Sequence, residues 1–246
     1  MIALQQNDVT RSWRAIAEQM KAIKGILCVS AHWLTRGVAV TADSQPRTIH
    51  DFGGFSQAMF DIIYPAHGSE ALVKRVQELL SPEPVTASHE WGYDHGCWTV
   101  LMKAFPEADI PVIQLSLDTK KTARQHYETG QRLRCLRDEG ILIMGSGNIV
   151  HNLNDVIRSP GVRPHPYAAN FGRFVRDEIE NNRVDALVDY PKMGADARKA
   201  VPTPDHLWPL FYVLGARHPD DKAIFENSFI EFGSIDMTTV IFRDAV

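Results

Sequence analysis

Of the ten histidines in this chain, four stand where side-chain chemistry is most readily built. His32, in Ser30-Ala-His-Trp33, follows a short apolar run and is placed to leave the carboxyl end of a strand. His151 follows Gly145-Ser-Gly-Asn-Ile-Val150, whose glycines allow a sharp turn and a close approach of backbone to a ligand. His206, in Thr203-Pro-Asp-His-Leu-Trp208, is expected in the first turn of a helix, where the dipole opposes protonation and leaves a nitrogen lone pair free. Neutral imidazole suits zinc, iron or nickel, and three rings from separated segments can hold one ion while leaving positions open for substrate. His151 fits a general base equally well, because its ordinary pKa of about 6.5 lets it take and return a proton near neutrality.

Each histidine also has a plainer explanation. His32 fits a satisfied strand-end histidine, His151 a loop histidine after a Gly-rich turn, and His206 a surface residue of a helix cap. His95, in Trp91-Gly-Tyr-Asp-His-Gly-Cys-Trp98, sits among aromatic and polar groups that suit either a planar ring or simple core packing. His50-Asp51-Phe-Gly-Gly54 is a turn whose Asp51 can orient a neighbouring group or merely shape the loop. Gly145-Ser-Gly147 belongs to neither a dinucleotide nor a P-loop fingerprint, and neither G-x-S-x-G nor H-E-x-x-H occurs. Cys28 and Cys97 have no base partner in sequence and fit buried small hydrophobes.

The elements that must position these residues alternate. Trp13, Ile16, Ala17, Met20 and Ile23 recur at helical spacing after a Thr10 cap, with Gly25 as a stop. Ile26 to Ala31 is continuously apolar, the pattern of a strand buried on both faces. A second helix carries Leu72, Val73, Val76, Leu79 and Leu80 between Ser69 and Pro82. Strands are expected over Pro111–Leu117 and Ile141–Met144, separated by a helix that a Thr122/Gln125 capping box opens and Gly140 ends. Further helices follow over 166–181 and from Thr203 to Gly215, and Thr238–Phe242 is a last strand. Alternation of this kind predicts a single-domain α/β sandwich over 1–246, with a largely parallel or mixed central sheet flanked by helices. Ligands in such folds bind beyond the carboxyl ends of the strands, where His32 and the 145–151 segment are expected.

At 246 residues with 44% hydrophobic content the chain can bury a large core, and one domain is the simplest organisation. A net charge of -4 without a basic cluster argues against nucleic acid. Three scattered cysteines, Cys28, Cys97 and Cys135, argue against a disulfide framework and for a reducing, cytoplasmic setting. No apolar stretch approaches the roughly 20 residues of a membrane span, and the first residues lack the basic and apolar regions of a standard signal.

Taken in order, several segments resemble the 4,5-DOPA extradiol dioxygenase family of the class III, LigB-type ring-cleaving dioxygenases. They are Thr10-Arg-Ser-Trp, Val29-Ser-Ala-His-Trp, Thr48-Ile-His-Asp-Phe-Gly-Gly-Phe, Tyr64-Pro-Ala, Trp91-Gly-Tyr-Asp-His-Gly, Pro111-Val-Ile-Gln-Leu-Ser, Gly145-Ser-Gly-Asn-Ile-Val-His-Asn-Leu and Thr203-Pro-Asp-His-Leu-Trp-Pro-Leu. The resemblance implies a LigB-like fold and cleavage of a catechol ring, L-DOPA or a relative, with O2. It implies iron(II) held by His32 and His206, with zinc able to take the same place. It makes His151 the acid/base residue and also a ligand, and puts His95 on the substrate and oxygen side. It further implies a preceding strand ending in His-Gly-Ser-Pro-Met, of which only Met1 matches, so a sheet without its first strand and one fewer imidazole are expected. A zinc-dependent hydrolase using the same histidines and a non-catalytic LigB-fold binding protein remain as rivals, and monomer or homo-oligomer stays open.

Overall fold

The computed structural model describes residues 4–20, 22–159 and 161–243, so Met1 lies outside the described residues. The first helix, α1, spans Asp8–Gln19. Its cap is Asn7, not Thr10: the Asn7 side chain accepts from the Thr10 backbone N–H, and Thr10 Oγ1 accepts from that of Asn7, a reciprocal capping box. The helix stops at Met20, short of Gly25. Strand β1 (Gly25–Thr35) follows, then β2 (Val38–Thr41), a short helix α2 (Gln57–Phe60), α3 (Glu70–Leu79) and β3 (Val85–Ser88). Next come α4 (His95–Ala104), β4 (Val112–Asp118), α5 (Ala123–Leu133), the single-turn α6 (Cys135–Asp138) and β5 (Ile141–Ser146). The helix expected to run to Glu139 therefore breaks at Arg134, while its Thr122/Gln125 capping box forms as read.

Five strands make the central sheet in the order β3-β2-β4-β1-β5. β1 runs parallel to both β4 and β5, β2 runs parallel to β3, and β2 meets β4 antiparallel, which makes the sheet mixed as expected. Ile26, Leu27, Cys28 and Val29 are all fully buried, because helices cover both faces. Leu27, Val29, Ile113 and Leu115 pack with Val73, Val76 and Leu133 on one side. Ile26, Cys28 and Val112 pack with Tyr93, Trp98 and Leu101 on the other.

Beyond β5 lie α7 (Pro166–Glu180), α8 (Val184–Val188), α9 (Ala195–Ala200) and α10 (Trp208–Gly215). Phe171, Val175 and Ile179 of α7 join Phe211 and Leu214 of α10 in a further apolar cluster. The last strands, β6 (Lys222–Glu226), β7 (Ile230–Glu231), β8 (Ile235–Asp236) and β9 (Thr239–Arg243), pair in two small antiparallel ribbons, β6 with β9 and β7 with β8. The expected final strand thus exists but does not join the central sheet.

Candidate functional site

Three local features of the backbone bring the histidines to one place. The first is a bulge in β1. Its pairing with β4 jumps from Val29–Leu115 to Leu34–Leu117, so residues 30–33 face the single intervening Ser116. Bulges re-aim side chains, and here the segment that is re-aimed carries His32. His32 is therefore inside the strand, not at its end, two residues past the last β1–β5 pair at Ser30–Ser146.

The second feature is the pair of glycines after β5. A Cβ on Gly147 would lie 2.2 Å from the backbone oxygen of His206, and one on Gly145 would lie 2.7 Å from that of Pro209. These glycines admit a neighbouring stretch of the chain itself, the 206–209 segment, where the sequence suggested room for a ligand. Asn148 fastens the contact: its backbone N–H donates to the His206 carbonyl at 2.9 Å, and its Oδ1 lies 3.3 Å from His206 Nδ1. His206 belongs to a short 3-10 turn, Pro204–His206, ahead of α10 and not to the α-helix proper. His151 is held by its own N–H donating to the Ala200 carbonyl at 3.0 Å and by a bridge to Ile235.

The third feature is the start of α4. Asp94 caps the helix by accepting from the Cys97 N–H, and it also accepts from Ser30 Oγ at 2.7 Å and from the Gln114 amide. A Cβ on Gly96 would meet Ser30 Oγ at 2.6 Å and His32 Cδ2 at 2.9 Å, so the absence of a side chain there leaves space for the His32 ring. Ser146 Oγ donates to the Gly96 carbonyl at 2.7 Å and ties β5 to α4. His95 is the first residue of that helix.

The rings meet as a result. His32 and His95 have centroids 3.9 Å apart, His32 and His206 are edge-to-face at 5.1 Å, and His151 stacks on His206 at 3.5 Å. Burial, reinforced by His95, lowers the His32 pKa to about 4, with Asp51 and Asp205 opposing. Burial and the neighbouring His151, His32 and His95 take His206 down to about 2, and burial also lowers His151. All three are neutral at pH 7 with lone pairs to offer, which fits a divalent transition metal. The helix dipole invoked for His206 is not the cause; desolvation is.

Asp51 lies beside this group. Its Oδ1 is 3.0 Å from His95 Nδ1, but the ring N–H is misaligned, so that buried nitrogen has no hydrogen-bond partner. Potential ligand atoms of His32, Asp51 and His95 lie within 4.8 Å of one another, a tighter set than the sequence singled out. Phe52 stands edge-on to His95 at 5.6 Å, with Phe55 at 5.4 Å from Phe52, so one wall is aromatic. His50 is structural: its Nε2 bonds the Ile62 carbonyl at 2.9 Å, and its ring packs on Trp98.

Residues 3–242 match the family model described as the catalytic LigB subunit of aromatic ring-opening dioxygenase. The chain belongs to the LigB family. A 4,5-DOPA dioxygenase extradiol from Escherichia coli K12 is 44% identical, covering 98% of this chain and 90% of that protein. One from Beta vulgaris is 36% identical over 93% of this chain and 87% of its own. The crystal structure of an uncharacterized Escherichia coli K12 protein superposes with a TM-score of 0.85 at 41% identity, covering 96% of this chain and 93% of that one. This LigB-family chain is thus an extradiol aromatic ring-opening dioxygenase, and of the rivals, neither the hydrolase nor the binding protein gains support. Among its described residues no helix is long and apolar enough to cross a membrane.

Sequence reasoning missed the buried Ser30–Asp94–Gln114 network that underlies the site. Its one visible signal was Asp94, with an Asx-type cap pattern before Cys97 that could have announced α4.

Proposed function

We propose that the chain opens the ring of a catechol, of the L-DOPA type, beside its diol, using O2 and an iron(II) ion held by His32 and His206, with His151 beside them as the acid/base residue. The observation that carries this reading is the convergence of four imidazoles, three of them with pKa values lowered by burial, just past the last β1–β5 pair. Bound iron(II) would supply a Lewis-acidic, redox-active centre at which catechol and O2 are neighbours.

The protein's own residues supply the rest. His32 and His206, neutral and buried, offer nitrogen lone pairs without having to lose a proton first. His151, less buried than His206, accepts a catechol hydroxyl proton on a ring nitrogen and returns it to the product. His95 lines the substrate and oxygen side, and Phe52 and Phe55 give a flat apolar wall suited to an aromatic ring. Zinc fits the same imidazoles but brings no redox chemistry of its own.

Anaerobic loading with iron(II), then oxygen with L-DOPA, caffeate or protocatechuate, tests the proposal by spectrophotometry. A yellow muconic semialdehyde with matching oxygen uptake is expected from at least one catechol. No semialdehyde from any of them would overturn it, and hydrolysis by a zinc-loaded protein without oxygen uptake would favour a hydrolase.

A further inference from the structure

Asp51 lies in the loop between β2 and α2, yet its carboxylate touches two of the four rings. Oδ1 accepts from the His95 backbone N–H at 2.9 Å and lies 3.0 Å from His95 Nδ1, while Oδ2 lies 3.8 Å from Nδ1 of His32. Both ring contacts are electrostatic, neither having the geometry of a hydrogen bond. Both rings nonetheless turn the same nitrogen toward one carboxylate. His95 Nδ1 is buried and makes no hydrogen bond, so the Asp51 carboxylate is the charge it faces.

Free neutral imidazole carries its proton mainly on Nε2, and a carboxylate facing Nδ1 reverses that preference by attracting the N–H. We propose that Asp51 is a positioning residue whose carboxylate keeps the proton on Nδ1 of both His32 and His95, so that Nε2 of each ring carries the lone pair. The proposal rests on the reading that these two rings serve the ring-opening site, and adds a role for a residue that binds neither substrate nor metal itself. Two features favour orientation over ligation. Oδ1 is already engaged by the first N–H of α4, where a carboxylate also suits the helix dipole. Moreover, Asp51 addresses Nδ1 of both rings, which leaves Nε2 for the pocket chemistry.

The test starts in the metal-free protein. Long-range ¹H–¹⁵N NMR of imidazole-labelled protein at pH 7.5 reads each tautomer directly, and Nδ1–H is expected for His32 and His95. Finding Nε2–H on both would overturn the proposal without any substitution. In D51N the side-chain oxygen can still accept from the His95 N–H, so the start of α4 is kept, but an NH2 donor replaces Oδ2 before His32 Nδ1. His32 should then switch to Nε2–H, and iron affinity should fall about 10- to 100-fold. D51A, which presents no group to either ring, should return both toward the Nε2–H form. Unchanged tautomers in both variants would overturn the role of Asp51. Because the tautomers are read without metal or catechol, a protein with Nδ1–H on both rings that opens no catechol would sink the catalytic reading and leave this one standing.

Discussion

Removing the imidazoles one at a time separates their roles. His32→Ala and His206→Ala should each abolish retention of iron, measured as metal content after desalting, because each deletes a buried neutral donor. His151→Ala should keep more metal than turnover, with kcat lower by about 100-fold or more, as expected when an acid/base group is lost. Equal loss of metal in all three variants would remove the distinction. At this scale the sequence was informative: His32, His95, His151 and His206 were all singled out, and the structure places their rings together. Asp51 was legible as a turn residue able to orient a neighbouring group, but not which group, because a carboxylate 19 positions from one ring and 44 from the other leaves no periodic signal. Its contacts exist only in three dimensions.

The rings stay in place through elements whose local rules differ from the regular ones. Gly147→Ala would set a Cβ 2.2 Å from a backbone oxygen of the His206 segment, and backbone cannot swing away as a side chain can. A loss of about 1–3 kcal/mol in chemical unfolding is expected, together with weaker metal binding than in the parent. Asp94→Ala removes the cap of α4, worth about 1 kcal/mol. It also strands the buried Gln114 amide and Ser30 hydroxyl, at about 1–3 kcal/mol for each partner left unsatisfied. The apolar run of β1 and the capping box of α5 were readable because they obey simple periods and spacings. The bulge at residues 30–33 was not, since it is defined by the partner strand's register, and the short strands β2 and β3 offer too few residues for alternation to show. The 203–215 stretch read as one helix because Pro204 and Asp205 start a 3-10 turn with the same signals.

At the scale of the whole molecule, burial of neutral histidines makes stability depend on pH. Unfolded, these side chains take up protons near pH 6.5; folded, His32 does so only near 4, His126 near 3 and His206 near 2. The unfolded chain therefore binds more protons below pH 6.5, and stability should fall as pH drops from 6.5 toward 4. Thermal unfolding of the metal-free protein should show a lower midpoint at pH 5 than at pH 7.5. His126 is away from the four rings, buried against Trp208 and Tyr212, so His126→Phe should flatten that dependence while leaving the site's imidazoles untouched. An unchanged slope would assign the effect elsewhere. The mixed α/β sandwich was expected from the alternation of elements, but the removal of the last strands to separate ribbons follows from packing against α7 and α10, which no local pattern records. The most direct measurement is an anomalous difference map of crystals loaded with iron(II) under anaerobic conditions. A single peak about 2 Å from nitrogens of His32 and His206, with the His151 ring beside it, is the predicted result; iron bound elsewhere, or no peak with all four rings ordered, would contradict it.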